Sequence, residues 1–202
     1  MLPRLYPIVD AVNFATRQEL HSFTKEIISG GATLIQYRDK KGSTREILSQ
    51  ARKLRVTVGN AVKLMMNDRS DLCLAAGFDG VHLGQDDLSP ESARAVVKAG
   101  KWIGVSTHNL QQASEADATS ADYIAIGPIF ATQSKQHPDH IVGLDGLRKV
   151  RAGTRKPLVA IGGITLANCR SVIDAGADSV AVISGLLASP ANSVEDFIRI
   201  LM

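Results

Sequence analysis

Residues 80–105 read GVHLGQDDLSPESARAVVKAGKWIGV and hold one full unit of a pattern that repeats along the chain. Two short apolar runs, 80–83 and 102–105, enclose a stretch of helical spacing at 90–98. The runs are mostly apolar without strict alternation, which is typical of strands that are covered on both faces. The connection is too long for a hairpin and suits a crossover helix. This segment therefore predicts two parallel strands joined by a helix.

The same alternation continues along the whole chain. The other predicted strands are residues 5–9, 33–37, 62–66, 123–126, 158–161 and 179–183, and further helical spacing covers 17–28, 45–58 and 166–174. Glycines at Gly30-Gly31, Gly77 and Gly176 follow helical stretches, where they accommodate the left-handed residue that ends a helix. Eight strand–helix units predict a single-domain α/β protein over 1–202, a (β/α)8 TIM barrel. The alternative is a doubly wound sheet, whose usual GxGxxG or GxxxxGK[ST] turn is absent from this sequence.

Composition and charge narrow the kinds of protein that this chain is expected to be. The chain has 202 residues, 45% hydrophobic and 21% charged, with a net charge of +3 that predicts no dominant nucleic-acid field. We expect a cytoplasmic protein without membrane association, because the N-terminus lacks a signal-peptide pattern and no apolar run is long enough to span a bilayer. Cys73 and Cys169 belong to no CxxC pair, so they predict reduced, buried thiols. Small molecules are the expected partners, and homo-oligomerisation stays open.

Polar residues gather where the predicted strands end, which is where barrels carry their chemistry. Asp68 and Asp87 would project from adjacent strands, close enough to share one Mg²⁺. The alternative for either residue is an ordinary helix cap. Arg38, Lys40 and Lys135 supply the opposite charge. Cations and a magnesium ion converging on one cleft predict a diphosphate site.

The last two strand ends predict a second anion site. Gly162-Gly163 would allow the backbone to approach a ligand closely, and Ser184-Gly185 offers amides and a hydroxyl. Plain turns are the alternative, and a positive φ at Gly163 would explain that glycine without a ligand.

The histidines give weaker signals. His82 lies inside an apolar run and fits a pocket wall better than a general base. No Ser/His/Asp or Cys/His arrangement supports a catalytic role for His108.

Six motifs in order carry a family resemblance over nearly the whole chain. They are Gln36-Tyr37-Arg38-Asp39-Lys40, Asn67-Asp68, Gly84-Gln85-Asp86-Asp87-Leu88, Gly104-Val105-Ser106, Gly127-Pro128-Ile129-Phe130 and Ile161-Gly162-Gly163-Ile164. Together they resemble the thiamine phosphate synthase family. The resemblance implies a barrel enzyme of thiamine biosynthesis, a transferase that joins a pyrimidine diphosphate to 4-methyl-5-(2-hydroxyethyl)thiazole phosphate or its carboxylated form. Its implied cofactor is Mg²⁺.

The resemblance also implies roles for particular residues. The family's pyrimidine-diphosphate contacts match Gln36, Arg38, Lys40, Asn67, Ser106 and Lys135, and the first motif adds Tyr37 and Asp39 to the substrate-binding set. Catalytic roles fall on Arg38, Lys40, Lys135 and Ser106, and the Mg²⁺ ligands on Asp68 and Asp87. The thiazole-phosphate contacts match Thr132, Gln133, Ser134, Gly163, Ile183 and Ser184. Ala131 departs from the family's frequent proline, and the position of Gln133 varies among relatives.

Two other functions remain as alternatives. A thiazole tautomerase of the same superfamily would tend to lose the metal and diphosphate residues, whereas Asp68, Asp87, Lys40 and Lys135 are all present. A non-enzymatic sensor of thiamine precursors would tolerate loss of the metal ligands, and no appended partner-binding segment is visible.

Overall fold

Eight parallel strands form a closed barrel in the order of the chain. The computed structural model describes residues 2–132 and 140–202. The strands are β1 Leu5–Asp10, β2 Leu34–Arg38, β3 Lys63–Asn67, β4 Gly80–Leu83, β5 Trp102–Thr107, β6 Tyr123–Ile126, β7 Leu158–Ile161 and β8 Ser179–Val182. Pairing of β1 with β8 closes the cylinder, so the predicted barrel is confirmed and the doubly wound sheet is wrong.

A helix follows each strand. They are α1 Arg17–Ser29, α2 Thr44–Val58, α3 Ser70–Ala75, α4 Pro90–Val97, α5 Leu110–Asp117, α6 Gly143–Gly153, α7 Cys169–Asp174 and α8 Pro190–Leu201, with 3-10 turns at Ala11–Asn13 and Ser184–Leu186. Ser43 and Glu46 form a capping box that begins α2. Gly31, Gly77 and Gly176 all have positive φ after helix ends, which confirms the predicted termination signals.

Several predicted element ends differ from the structure by one to three residues, among them the start of α7 and the end of β8. The helix predicted from residue 166 begins at Cys169, because Asn168 Oδ1 accepts from the Thr165 amide at 2.8 Å and holds a turn there. The strand predicted to reach residue 183 ends at Val182, and Ile183 instead leads into the 3-10 turn.

Alternate strand residues pack on opposite sides of the sheet. Tyr6 and Ile8 belong to the cluster inside the barrel, whereas Leu5 and Val9 belong to the layer beneath the helices. Burial of both layers explains the continuously apolar strands. Cys73 and Cys169 are free and buried, as predicted. Over residues 2–132 and 140–202, no helix is both long and apolar enough to cross a membrane.

Candidate active site

A cleft of about 540 Å³ opens at the carboxyl ends of the strands, where barrel enzymes hold their substrates. Eleven of the predicted site residues line it: Gln36, Arg38, Lys40, Asn67, Asp68, Asp87, Ser106, Thr132, Gly163, Ile183 and Ser184. They come from strands that are distant in sequence, so closure of the barrel is what brings them together.

The two predicted metal ligands lie at one corner of the cleft. Asp68 directly follows β3 and Asp87 lies in the loop after β4, and these strands are hydrogen-bonded neighbours. Burial, followed by the neighbouring Asp68 carboxyl, raises the pKa of Asp87 above its usual range. Lys40 Nζ lies 2.7 Å from Asp68 Oδ2. Asp68 holds a positive φ of 61°, which is uncommon for a residue with a side chain and marks backbone strain at this corner.

Ser89 is the N-cap of α4, so the helix-cap alternative is wrong for Asp87. Asp87 Oδ2 accepts a hydrogen bond from the Gly84 amide at 2.6 Å, which fixes the turn after β4. Its other carboxylate oxygen is the one that this turn leaves available to a ligand.

The arginine that ends the neighbouring strand β2 already has a partner in this structure. Arg38 forms an ion pair with Asp10, whose side chain is 5% exposed. Asp10 and Arg38 are register partners at the ends of β1 and β2. The sequence analysis missed this pair, although an acid and a base that end consecutive strands are a signal that could have revealed it.

This pairing predicts the outcome of an Arg38→Met variant. Loss of the guanidinium leaves Asp10 buried without its counter-charge, and we expect the free energy of unfolding to fall by about 2 kcal/mol. The figure is below that of a fully buried pair because the Arg38 side chain is 24% exposed. The double variant Asp10→Asn, Arg38→Met should regain most of that stability but none of the activity. Denaturant unfolding and turnover of both variants test this, and equal instability of the two would contradict it.

The floor of the cleft is a continuous chain of buried polar side chains. Gln36 Nε2 donates to Tyr6 Oη at 3.0 Å, and the Tyr6 and Tyr123 hydroxyls are 3.0 Å apart. Tyr123 Oη lies 2.9 Å from His82 Nδ1, and His82 Nε2 lies 2.9 Å from Ser106 Oγ. Burial lowers the pKa of His82 to about 4, so the imidazole is neutral at physiological pH. The interpretation of His82 as a pocket wall is confirmed, whereas the sequence analysis missed both tyrosines.

On one side of the cleft, the structure shows why the chain has glycine at residues 162 and 163. Gly162 and Gly163 have φ of 99° and 64°. A Cβ at Gly163 would lie 2.5 Å from the Ala131 carbonyl oxygen and 2.7 Å from Phe130 Cβ. The positive φ given as the alternative for Gly163 is therefore confirmed, and contact of Gly163 with a ligand stays a prediction. The backbone conformation and the neighbouring loop require this glycine.

Two predicted substrate-binding residues do not reach the cleft. Tyr37 follows the inward-facing Gln36, so it points to the helix side of the sheet and is completely buried there. The Asp39 carboxylate accepts from Arg17, from the Tyr37 hydroxyl and from the Gly42 amide. Burial opposes ionisation of Asp39, but the hydrogen bonds from the Gly42 amide, Arg17 and the Lys41 amide outweigh it and lower its pKa. Both residues are therefore reassigned from substrate binding to stabilising the loop that follows β2.

The remaining assignments are positioned as follows. Gln133, Ser134 and Lys135 lie outside the described residues, so their proposed contacts stay predictions. His108 lines the cleft, with Nδ1 2.7 Å from the Gly127 carbonyl oxygen.

Comparison with known proteins establishes the family. A family model described as thiamine monophosphate synthase matches residues 5–186. The chain is 60% identical to the thiamine-phosphate synthase of Koribacter versatilis (strain Ellin345), over 99% of this chain and 96% of that relative. The chain belongs to the thiamine monophosphate synthase family. As a member of this family it is an enzyme, a transferase of thiamine biosynthesis.

Two further relatives agree with this assignment to the thiamine monophosphate synthase family. The thiamine-phosphate synthase of Chloroflexus aurantiacus (strain ATCC 29366 / DSM 635 / J-10-fl) is 44% identical over 92% of this chain and 86% of its own. A solved structure, thiamine phosphate pyrophosphorylase from Pyrococcus furiosus, superposes with a TM-score of 0.87 at 34% identity. The superposition covers 98% of this chain and 95% of that one.

Proposed function

We propose that this enzyme transfers the 4-amino-2-methylpyrimidin-5-ylmethyl group from its diphosphate to 4-methyl-5-(2-hydroxyethyl)thiazole phosphate or its carboxylated form. The products are thiamine phosphate and diphosphate. The observation that carries this proposal is the division of one cleft into three zones. The first zone is a charged rim with Arg38, Lys40, Asp68 and Asp87. The second is the neutral polar floor described above, and the third is the glycine-rich side formed by the loops after β7 and β8.

The charged rim suits a diphosphate leaving group. When the C–O bond to diphosphate breaks, its electron pair departs with the oxygen and the methylene carbon becomes electron-poor. Arg38 and Lys40 would stabilise the departing negative charge, and they are held in place before the reaction begins. Both cations are paired with carboxylates here, so they would exchange part of that pairing for the diphosphate oxygens.

The acidic corner fits a magnesium ion. Asp68 and Asp87 provide oxygen donors, the ligand type that Mg²⁺ prefers. Burial, and then the neighbouring Asp68 carboxyl, raise the pKa of Asp87, and a bound cation would offset both effects. A bound Mg²⁺ would supply charge neutralisation for the diphosphate. The two carboxylates would hold it, and Lys40 lies beside them to contact the same phosphate group.

The polar floor and the glycine-rich side would hold the two organic rings. Gln36 and Ser106 present hydrogen-bonding groups suited to an aminopyrimidine. Gly163 and Ser184 follow the paired strands β7 and β8 and both line the cleft, where a hydroxyl and backbone amides can bind a monophosphate. The lone pair of the thiazole nitrogen then forms the new bond to the methylene carbon. No proton transfer is needed for that step, so neutral His82 need not act as a base.

The decisive experiment is product formation from both substrates. The purified protein is mixed with the pyrimidine diphosphate, the thiazole phosphate and Mg²⁺, and thiamine phosphate is followed by chromatography with mass detection. Omission of either substrate, or addition of a chelator, should abolish the product. Isomerisation of a thiazole phosphate tautomer without thiamine phosphate formation would instead support the tautomerase alternative.

A further inference from the structure

We propose that Tyr6, Tyr123 and His82 act as a one-directional hydrogen-bond relay that makes Gln36 an acceptor and Ser106 a donor toward the pyrimidine ring. The first three are positioning residues, since the relay acts on substrate only through its two ends. This inference rests on the proposed function for the identity of the ligand. The direction of the relay follows from geometry and proton counting alone.

Each inner member of the relay has one proton and two partners. Tyr6 Oη contacts Gln36 and Tyr123, and Tyr123 Oη contacts Tyr6 and His82. A hydroxyl with one proton donates to one of its two partners and accepts from the other. A neutral imidazole likewise donates through one nitrogen and accepts through the other. All four hydrogen bonds must therefore run in the same direction.

The amide of Gln36 selects that direction. Its nitrogen faces Tyr6 Oη at 3.0 Å and is the donor, so Tyr6 donates to Tyr123 and Tyr123 donates to His82 Nδ1. The imidazole proton then lies on Nε2 and is donated to Ser106 Oγ. Ser106 accepts within the relay and keeps its own proton for the cleft, while Gln36 keeps its amide oxygen. A reversed amide would reverse every bond and exchange the two roles.

The barrel interior has room for the relay because the strand between His82 and Tyr123 carries a glycine. Gly104 is the register partner of both His82 and Tyr123. A Cβ at Gly104 would lie 2.0 Å from Tyr123 Cζ, so the glycine is what admits the tyrosine ring to the barrel interior. The His82 and Tyr123 rings are stacked with centroids 5.6 Å apart, which fixes their relative orientation. Gly104 in the middle of a buried strand thus has a specific packing reason.

The relay predicts which ring the floor prefers. An aminopyrimidine carries an amino donor and ring-nitrogen acceptors, which match the Gln36 oxygen and the Ser106 hydroxyl respectively. In its 4-oxo counterpart a carbonyl replaces the amino group and a ring nitrogen carries a proton, so the pattern is exchanged. The relay couples both ends, because its direction leaves the Gln36 oxygen and the Ser106 proton together to face the cleft. We therefore infer that discrimination between these two rings is a property of the whole relay.

The variant Tyr123→Phe tests the inference because it removes one hydroxyl and keeps the ring. We expect the KM for the pyrimidine diphosphate to rise about tenfold and the KM for the thiazole phosphate to stay within about twofold. Calorimetric Kd values of the pyrimidine diphosphate and its 4-oxo counterpart should differ on the order of a hundredfold in the wild type. In Tyr123→Phe that ratio should fall to on the order of tenfold.

The matched control is Thr24→Val. Thr24 is also completely buried, and its hydroxyl donates to the Leu20 carbonyl oxygen within α1, away from the cleft. This variant loses a buried hydroxyl without touching the relay, so both KM values and the discrimination ratio should remain those of the wild type. Equal behaviour of Tyr123→Phe and Thr24→Val would overturn the proposal.

Nitrogen-15 NMR of the imidazole tests the direction independently of activity. The signals of His82 are assigned by their loss in His82→Gln, and we expect the Nε2–H tautomer in the wild type and a tautomer mixture in Tyr123→Phe. An Nδ1–H tautomer in the wild type would overturn the stated direction. If the wild type forms no thiamine phosphate, the proposed function fails, but these spectra still decide whether the relay exists.

Discussion

Replacing Asp87 with alanine is expected to lower turnover on the order of a thousandfold while leaving the barrel folded. The variant removes one of the two carboxylates proposed to hold the magnesium ion that offsets the diphosphate charge. Its stability should change little because two effects oppose each other. The Gly84 amide loses its hydrogen bond to Asp87, and the repulsion between Asp87 and Asp68 disappears.

Three measurements check the Asp87→Ala prediction. Turnover across a range of Mg²⁺ concentrations gives the activity, calorimetric titration with Mg²⁺ in the presence of diphosphate gives the metal affinity, and circular dichroism reports the fold. Asp174→Ala is the control, since it removes an exposed carboxylate at the end of α7 whose partner is Arg170. Near-normal turnover and metal affinity in Asp87→Ala would remove this residue from the metal site.

The fold was predictable because strands that are buried on both faces have continuously apolar sequences. All eight apolar runs coincide with strands, and Gly31, Gly77 and Gly176 end helices as expected. The largest error falls where a side-chain hydrogen bond, rather than hydrophobicity, sets the start of a helix. Because of the turn held by Asn168, α7 begins three residues later than predicted. The pattern of apolar residues does not indicate such a hydrogen bond.

The rim of the site was predictable for a related reason, and the floor was not. Parallel strands end at one face, so Arg38, Asp68 and Asp87 had to converge there. Tyr6 and Tyr123 lie within apolar runs, and their meeting depends on the register of β1 and β6 across the closed barrel. The error at Tyr37 was avoidable, because an inward Gln36 requires its neighbour to face outward.

Gly163→Val is expected to lower the free energy of unfolding by about 4 kcal/mol. Valine at a φ of 64° strains the backbone, and its Cβ would lie 2.5 Å from the Ala131 carbonyl oxygen. The loop that carries Ala131 is tied to the β7 end by hydrogen bonds from the Ile129 and Phe130 amides to the Ile161 and Gly162 carbonyls. The loop can move away only by breaking those bonds, so the strain and the collision add.

A second glycine separates these two contributions. Gly77 has nearly the same φ, 69°, but a Cβ there meets nothing within 4 Å. Gly77→Val should therefore cost only the backbone strain, about 1–2 kcal/mol, while Gly163→Val costs that amount and the collision as well. Denaturant unfolding measures both, and the thermal midpoint of Gly163→Val should fall on the order of 10 °C. If the two variants are equally stable, the collision does not exist. Weakened thiazole-phosphate binding in such a Gly163→Val protein would then support direct contact of residue 163 with the ligand.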